Sequence, residues 1–198
     1  LGLSAVLFSL LAIHWAWPPW LAVPATLLAG LLCGTAAGCL IARFQVQAFI
    51  ATLAMMVFAR GLAKWISGGQ KISTVIQNAD GQFTNVAIPP VFEQVGAKVL
   101  HGHLAVVTVI FLFSILLCWI LLAKLRWGRY LYAIGGNEEA ARLSGVPVRA
   151  MKLLAYGLSG VFSALAGVCQ AAQELQGDPE AGVSYELTAI AIVVIGGT

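Results

Sequence analysis

The fold of this chain is decided by residues 104–123, which have the sequence LAVVTVIFLFSILLCWILLA. These residues carry no charge, and a helix of this length spans about 30 Å, which is the thickness of a bilayer core. The segment contains no glycine and many bulky side chains, which favours extensive lipid contact. It therefore predicts a membrane-spanning helix.

Similar apolar segments lie on both sides of this helix. Of the 198 residues, 60% are hydrophobic and 10% are charged, which excludes an ordinary soluble domain. We predict a single all-α domain, a polytopic transmembrane helix bundle that occupies residues 1–198. The predicted spans are 1–17 (partial), 20–42, 44–66, 104–123, 153–172 and 185–198 (partial). The last either crosses the membrane or breaks as a half-helix at Gly196-Gly197.

Two of the predicted spans carry small residues at regular spacing, which lets another helix backbone approach closely. We therefore expect these two helices to pack inside the bundle, while residues 104–123 lie nearer its rim. The small residues are Gly30, Gly34 and Gly38 in one span, and Ser159, Ser163 and Gly167 in the other.

The orientation follows from the basic residues, six of which out of eleven lie in the polar loop 124–152. Cytoplasmic loops carry an excess of Lys and Arg, so we place this loop on the cytoplasmic side. Residues 67–103 then form an external loop, for which we expect one short helix. Because the basic residues concentrate in one loop between apolar segments, the net charge of +3 does not indicate nucleic-acid binding. Membrane lipid is the expected surrounding partner.

Within this cytoplasmic loop, the sequence around Glu138 carries the start and stop signals of a short helix. Asn137 can cap the N-terminus, and Glu138 and Glu139 oppose its positive end. Gly145 suits the left-handed position after the last turn. About seven helical residues are too few to be stable alone in water, so we expect the helix to dock against a partner subunit. The alternative is a solvated charged turn.

The sequence of residues 132–145, YAIGGNEEAARLSG, closely resembles the coupling-helix loop of ATP-binding-cassette importer permeases of the ribose/monosaccharide type. The order and spacing of further matches also fit that family, from about residue 40 onward. These matches are ATLAM at 51–55, ARG at 59–61, LSG at 158–160, YELTAIA at 185–191 and VVIGGT at 193–198. Since family members continue beyond such a point, we expect the chain to be an internal part of a longer protein.

The resemblance implies a non-enzymatic permease subunit in the bacterial plasma (inner) membrane, with no cofactor and no metal. The implied partners are cytosolic ATP-binding subunits, an extracytoplasmic solute-binding protein that delivers a pentose or hexose, and a second permease subunit, identical or paralogous. The residues implied to couple the permease to the ATPase are Asn137, Glu138, Glu139, Ala141, Arg142, Leu143, Ser144 and Gly145. The substrate-binding residues stay unknown.

Three other functions are considered. An importer of the same architecture could carry a nucleoside, a sugar-derived signal or a branched-chain amino acid, and the loop motifs do not separate these substrates. An ion-coupled secondary transporter would need intramembrane carboxylates, but no Asp or Glu lies inside any complete predicted span. A non-transporting membrane scaffold leaves the capped cytoplasmic helix unexplained.

One short segment resembles a sequence motif of ATPase domains. Residues 66–70, ISGGQ, are similar to the signature peptide of the ATPase domain, but no phosphate-binding G-x-x-x-x-G-K-[ST] loop accompanies them. We interpret them as a glycine-rich exit from a membrane helix.

Other polar groups leave two interpretations open. Arg60 and Lys64 could extend to the headgroups or line a polar path. His101 and His103 could hold a metal ion or lie at the membrane interface. The acidic segment 173–186 is either a solvated loop or a docking surface for a binding protein. The four cysteines, which are Cys33, Cys39, Cys118 and Cys169, lie in apolar runs and are interpreted as packing residues.

Overall fold

The computed structural model describes residues 1–15, 17–73, 75–77, 83–85, 92, 98–99 and 104–196, and most of them are helical. The helices are α1 (Gly2–Ser9, continued by a π-helical turn Leu10–His14), α2 (Pro19–Phe44), α3 (Ala48–Ser67), α4 (Val106–Ala123), α5 (Arg126–Gly136), α6 (Glu138–Leu143), α7 (Val148–Glu174) and α8 (Tyr185–Ile195). Four of them, α2, α3, α4 and α7, are long and apolar enough to cross a membrane. The predicted all-α polytopic membrane fold is confirmed.

Short antiparallel strand pairs connect the helices on the predicted external side. The pairs are β1 (Ile72–Ser73) with β6 (Gln176–Gly177), β2 (Val75–Gln77) with β3 (Phe83–Asn85), and β4 (Lys98–Val99) with β5 (Leu104–Ala105). The sequence analysis did not predict these strands. Apart from Phe92, which is helical, the short helix expected within 67–103 lies outside the described residues, as do His101 and His103.

Proline and left-handed residues set the helix ends. Pro19 occupies the first turn of α2, where its fixed φ suits the helix and its missing N–H costs nothing. Helix α3 ends at Gly68, which has φ +63°, and the next N–H, of Gly69, donates to the Lys64 carbonyl at 2.8 Å. The peptide that resembled an ATPase signature is thus a glycine-rich helix exit, as predicted.

The closest helix pair is α2 with α7, which run antiparallel along the glycine ridge. A β-carbon on Gly30 would lie 2.5 Å from both the Ala164 β-carbon and the Gly160 carbonyl oxygen. One on Gly34 would collide with the carbonyl oxygen of Tyr156. Only glycine permits this approach, because any side chain would push the two backbones apart.

The small residues of α7 take a different arrangement from the predicted one. Gly157 and Gly160, not Ser159 and Ser163, lie against α2, and both serines are exposed. Gly167 is buried, but against Ser4 of α1. The reason is that small residues recur about once per turn on more than one face of α7. Their spacing alone does not tell which of these faces packs against α2.

The buried core surrounds α1 near the predicted external ends of the long helices. Phe8 and Phe92 are fully buried there, and their ring centroids lie 5.2 Å apart. The same buried cluster includes one alanine from each of three long helices, namely Ala22, Ala63 and Ala171. In contrast, α4 has no buried residue, which agrees with its bulky, glycine-free sequence and its expected position near the rim.

Candidate functional site

Helix α6 has the N-cap that its sequence predicts. The Asn137 side-chain oxygen accepts a hydrogen bond from the Ala140 N–H at 3.0 Å. Glu138 and Glu139 occupy the first turn, where their charges oppose the positive end of the helix. Asn137 itself has an extended backbone, with φ −158°, so it separates α6 from the preceding α5.

The C-terminus of α6 is closed by a Schellman motif. The Gly145 N–H donates to the Arg142 carbonyl at 3.1 Å, and the Val146 N–H donates to the Ala141 carbonyl at 3.1 Å. Gly145 has φ +82°, a conformation that a β-carbon disfavours. The predicted left-handed glycine is therefore confirmed. No atom of the described residues lies within 4 Å of a β-carbon placed on Gly145, so its conformation alone demands glycine.

A salt bridge and one buried side chain fix α6 to the start of α7. The Lys152 ammonium lies 2.6 Å from one Glu138 carboxylate oxygen and 2.7 Å from the other. Ala141 is 5% exposed. The salt bridge thus links the first turn of α6 to the first turns of α7.

The predicted coupling residues divide into two groups by role, those that shape the helix and those that face outward. Of the eight, Ala141 alone is buried. Glu139, Arg142 and Leu143 face outward, and Leu143 is 83% exposed, an unusual position for a large apolar side chain. Ala141 faces inward, so it cannot itself contact a partner. The Ser144 hydroxyl donates to the Ala140 carbonyl at 2.9 Å. Thus one group shapes the helix, while the other is available for docking.

The sequence analysis missed helix α5, which fills much of the loop 124–152. Its signal was present, since Trp127, Tyr130, Leu131 and Ile134 follow helical spacing. Gly128 is buried and lies so close to the Leu122 carbonyl that a β-carbon would collide with it. The turn from α4 into α5 therefore requires glycine, and α5 lies directly before the capped α6.

A second candidate site is a cavity of about 480 Å³ that lies among α1, α2, α3, α7 and α8. This volume falls within the range of small-molecule sites. Most of its wall is apolar. The polar side chains that line it are Ser4, Thr52, Arg60, Tyr156, Ser159, Ser163, Tyr185 and Glu186.

Ion pairs and strand pairing join the predicted external end of α3 to the segment after α7. The Lys64 ammonium lies 2.8 Å from Glu180, and the Lys71 ammonium lies 2.8 Å from Asp178. Strand β1 pairs with β6 beside them. We call β1, β6 and these two ion pairs the external strap.

The external strap gives several charged groups of this side a partner within the chain. Lys64 pairs with Glu180, and Arg60 lies 4.0 Å from Glu186 within the cavity wall. Asp178 pairs with Lys71, and the Glu180 side chain remains 62% exposed in its pair. Sequence spacing could not reveal the partners of Lys64, Lys71 and Arg60, which lie more than 100 residues further along the chain.

The strap shifts the ionisation of its members. Partial burial favours a higher pKa for Asp178, but hydrogen bonds from Lys71 and from the Glu180 N–H outweigh it and hold the pKa below its ordinary value. The hydrogen bond from Lys64 likewise lowers the pKa of Glu180. The hydrogen bond to Asp178 raises the pKa of Lys71. All these groups are therefore charged at neutral pH.

The lowered pKa of Asp178 predicts an acid-dependent contribution to stability. A depressed folded-state pKa stabilises the protein above the unfolded value of about 3.9, and this contribution disappears as the pH falls through the folded pKa. We expect Asp178→Asn to lower the melting temperature at pH 7, and the difference from wild type to vanish at low pH. Glu174→Gln is the matched control, since it removes a nearby carboxylate outside the strap. A difference for Asp178→Asn that persists unchanged to pH 3 would contradict the ion pair.

Comparison with known proteins identifies relatives of this chain. All of residues 1–198 match the family model described as branched-chain amino acid transport system / permease component. The chain is 40% identical over 180 residues to the ribose import permease protein RbsC of Escherichia coli (strain K12), covering 89% of this chain and 52% of that relative. It is 38% identical over 163 residues to the L-arabinose transport system permease protein AraH of Escherichia coli (strain K12), covering 81% and 44% respectively.

A third relative, the fructose import permease protein FruG of Bifidobacterium longum (strain NCC 2705), is 36% identical over 181 residues, covering 91% of this chain and 52% of the relative. The chain thus spans about half the length of the curated relatives that it matches. No solved structure matches it. Since the family model covers the whole chain, the protein belongs to the family of branched-chain amino acid transport system permease components.

Proposed function

We propose that this chain is part of the membrane-spanning permease subunit of an ATP-driven importer for a monosaccharide. It acts as a multi-pass protein of the bacterial inner membrane. The observation that carries this proposal is its similarity, over at least four fifths of its length, to permeases named for the import of ribose, L-arabinose and fructose. Its membrane-capable helices and its firmly capped cytoplasmic helix support the same function.

In the mechanism that we propose, ATP hydrolysis and substrate translocation take place on different subunits. Cytosolic ATP-binding subunits hydrolyse ATP and change their arrangement, and α6 transmits that displacement to the membrane helices. Glu139, Arg142 and Leu143 form the docking face. Glu138, through its salt bridge with Lys152, passes the movement to α7. A solute-binding protein delivers the substrate on the opposite side, and a second permease subunit completes the pathway.

Two observations favour a sugar over a branched-chain amino acid as the substrate, although the family description names the amino acid. The named relatives transport pentoses and a hexose according to their names. The cavity among α1, α2, α3, α7 and α8 has a mostly apolar wall that carries several hydroxyl groups and one cation beside one anion, which suits a neutral polar solute. An ion-coupled mechanism is disfavoured because, in the described part of α2, α3, α4 and α7, the only carboxylate is Glu174, at the very end of α7, and Glu186, at the start of α8, already faces the cation Arg60.

Transport by the full-length protein tests the proposal. The permease would be reconstituted in proteoliposomes with the ATP-binding and solute-binding proteins of its own system. We expect ATP-dependent uptake of labelled D-ribose, L-arabinose or D-fructose, and no uptake of L-leucine. If the protein takes up L-leucine and none of the sugars, the proposed substrate class is wrong. Uptake that follows an ion gradient and does not require ATP would overturn the proposal.

A further inference from the structure

Two walls of the cavity are formed by one face each of α3 and α7, and α1, α2 and α8 complete it. Its α3 wall consists of Thr52, Met55, Met56, Ala59 and Arg60, which are spaced three and four residues apart and thus form one helical face. Four of these five side chains are neutral, so Arg60 is the single cation on this wall. Intramembrane charges are costly and usually mark functional sites, so the position of Arg60 requires a partner or a role.

The α7 wall contributes the hydroxyl-bearing side chains of Tyr156, Ser159 and Ser163. Ser159 and Ser163 are both exposed to the cavity, because the row that packs on α2 is formed by other residues. Each hydroxyl can donate one hydrogen bond and accept two. Among the described residues, no hydrogen bond joins Ser159 to another part of the protein, so its full capacity is available to a ligand.

Arg60 and Glu186 form an open pair, unlike the two pairs of the external strap. The guanidinium nitrogen lies 4.0 Å from the Glu186 oxygen, and each side chain is 32% exposed. Direct hydrogen bonds require about 2.7–3.2 Å, so a bridging group fits this longer separation better than a closed bond does. In contrast, Lys64–Glu180 and Lys71–Asp178 are closed at 2.8 Å.

The charges of the cavity wall favour a neutral ligand with several hydroxyl groups. Arg60 supplies donors and Glu186 supplies acceptors, and together their charges cancel. A sugar hydroxyl can accept from the guanidinium while it donates to the carboxylate. The apolar side chains of Met55 and Met56 can contact the C–H faces of a sugar ring. An anionic or a cationic ligand would leave one member of the pair opposed by a like charge.

We propose that this cavity binds a single monosaccharide during translocation, with Arg60 donating hydrogen bonds to its hydroxyls and Glu186 accepting from them. Ser159 and Ser163 provide further polar contacts from the opposite wall. This assignment rests on the proposed function, and it identifies residues that contact the transported sugar.

A native cysteine allows binding to be measured without transport. Cys33 of α2 lines the cavity, whereas Cys39, six residues further along the same helix, does not and is exposed. Two full-length proteins would be prepared, each retaining one of these cysteines and with every other cysteine replaced by serine. We expect D-ribose, L-arabinose or D-fructose to slow the reaction of Cys33 with a small methanethiosulfonate reagent, and to leave the reaction of Cys39 unchanged.

Variants of the open pair then test its role. Glu186→Gln and Arg60→Lys keep the size of the side chain but remove the charge or the forked geometry, and we expect each to raise the half-protecting sugar concentration about tenfold or more. Lys64→Gln, which breaks an ion pair of the external strap outside the cavity, is the control. It should change the half-protecting sugar concentration by less than about threefold. Equal half-protecting concentrations for Glu186→Gln, Arg60→Lys and wild type would overturn the assignment.

The two proposals fail in different ways. If the wild-type protein imports a sugar with ATP but no sugar protects Cys33, the permease function stands and the cavity is not its binding site. If the wild-type protein imports no sugar, the proposed function fails first, and L-leucine protection of Cys33 would then show that the cavity takes another class of ligand.

Discussion

Replacing Gly145 with valine is expected to separate ATP hydrolysis from transport. Gly145 has φ +82° in the Schellman motif, and forcing a β-branched residue into this conformation costs about 1–2 kcal/mol. Helix α6 has only six residues and little stability of its own, so this strain distorts the docking face. We expect normal membrane insertion but sugar uptake at least tenfold below wild type, with ATPase association weakened or ATPase activity no longer stimulated by the loaded binding protein.

Two further substitutions distinguish this explanation from general damage. Gly145→Asn should retain much of the activity, because asparagine tolerates the left-handed conformation better than other residues that have a side chain. Gly135→Ala in α5 should transport like wild type, because a β-carbon there meets no atom of the described part of the chain within 4 Å and the glycine conformation is not required. Wild-type uptake by Gly145→Val itself would mean that α6 is not the coupling element.

Replacing Gly34 with leucine should destabilise the membrane domain strongly. Its β-carbon would collide with the Tyr156 carbonyl of α7, which is backbone and cannot turn aside. The two helices would have to separate along the ridge, at a cost of about 1–3 kcal/mol. The melting temperature of the full-length protein in detergent measures this loss.

Gly61→Leu is the matched control for the ridge. Gly61 is also a glycine inside a membrane-capable helix, but a β-carbon placed there meets no atom within 4 Å among the described residues. Leucine also has a higher helix propensity than glycine, so this variant should be at least as stable as wild type. Equal melting temperatures for Gly34→Leu and wild type would place the ridge against lipid and not against α7.

Local features of this protein follow from sequence wherever the chemistry is local. The N-cap of Asn137 and the left-handed Gly145 depend only on neighbours within the same short segment, so their residue types predict the geometry. The helix 106–123 follows from composition, since a long uncharged run without glycine has few alternatives in a membrane protein. The glycine ridge of α2 is similarly visible as a four-residue repeat.

Features that depend on distant partners could not be predicted. The choice between Ser159 and Gly160 as the packing row of α7 is decided by α2, because both rows are sterically acceptable within α7 alone. The partners of Arg60 and Lys64 come from the segment 180–186, more than 100 residues later. Helix α5 was missed for another reason: its amphipathic pattern is present, but the stop and start signals of α6 dominated the interpretation of the loop.

Helix α7 is long enough to transmit a displacement from one of its ends to the other across the membrane. Its 27 residues extend about 40 Å, from the Lys152 attachment to α6 at one end to strand β6 at the other. A rigid tilt of about 5° around its middle would move each end by roughly 1.5–2 Å, a displacement typical of switching helices. Ser159 and Ser163 lie near the pivot, where such a tilt produces almost no movement. A force applied at α6 would therefore alter the external strap while the middle of the cavity keeps its shape.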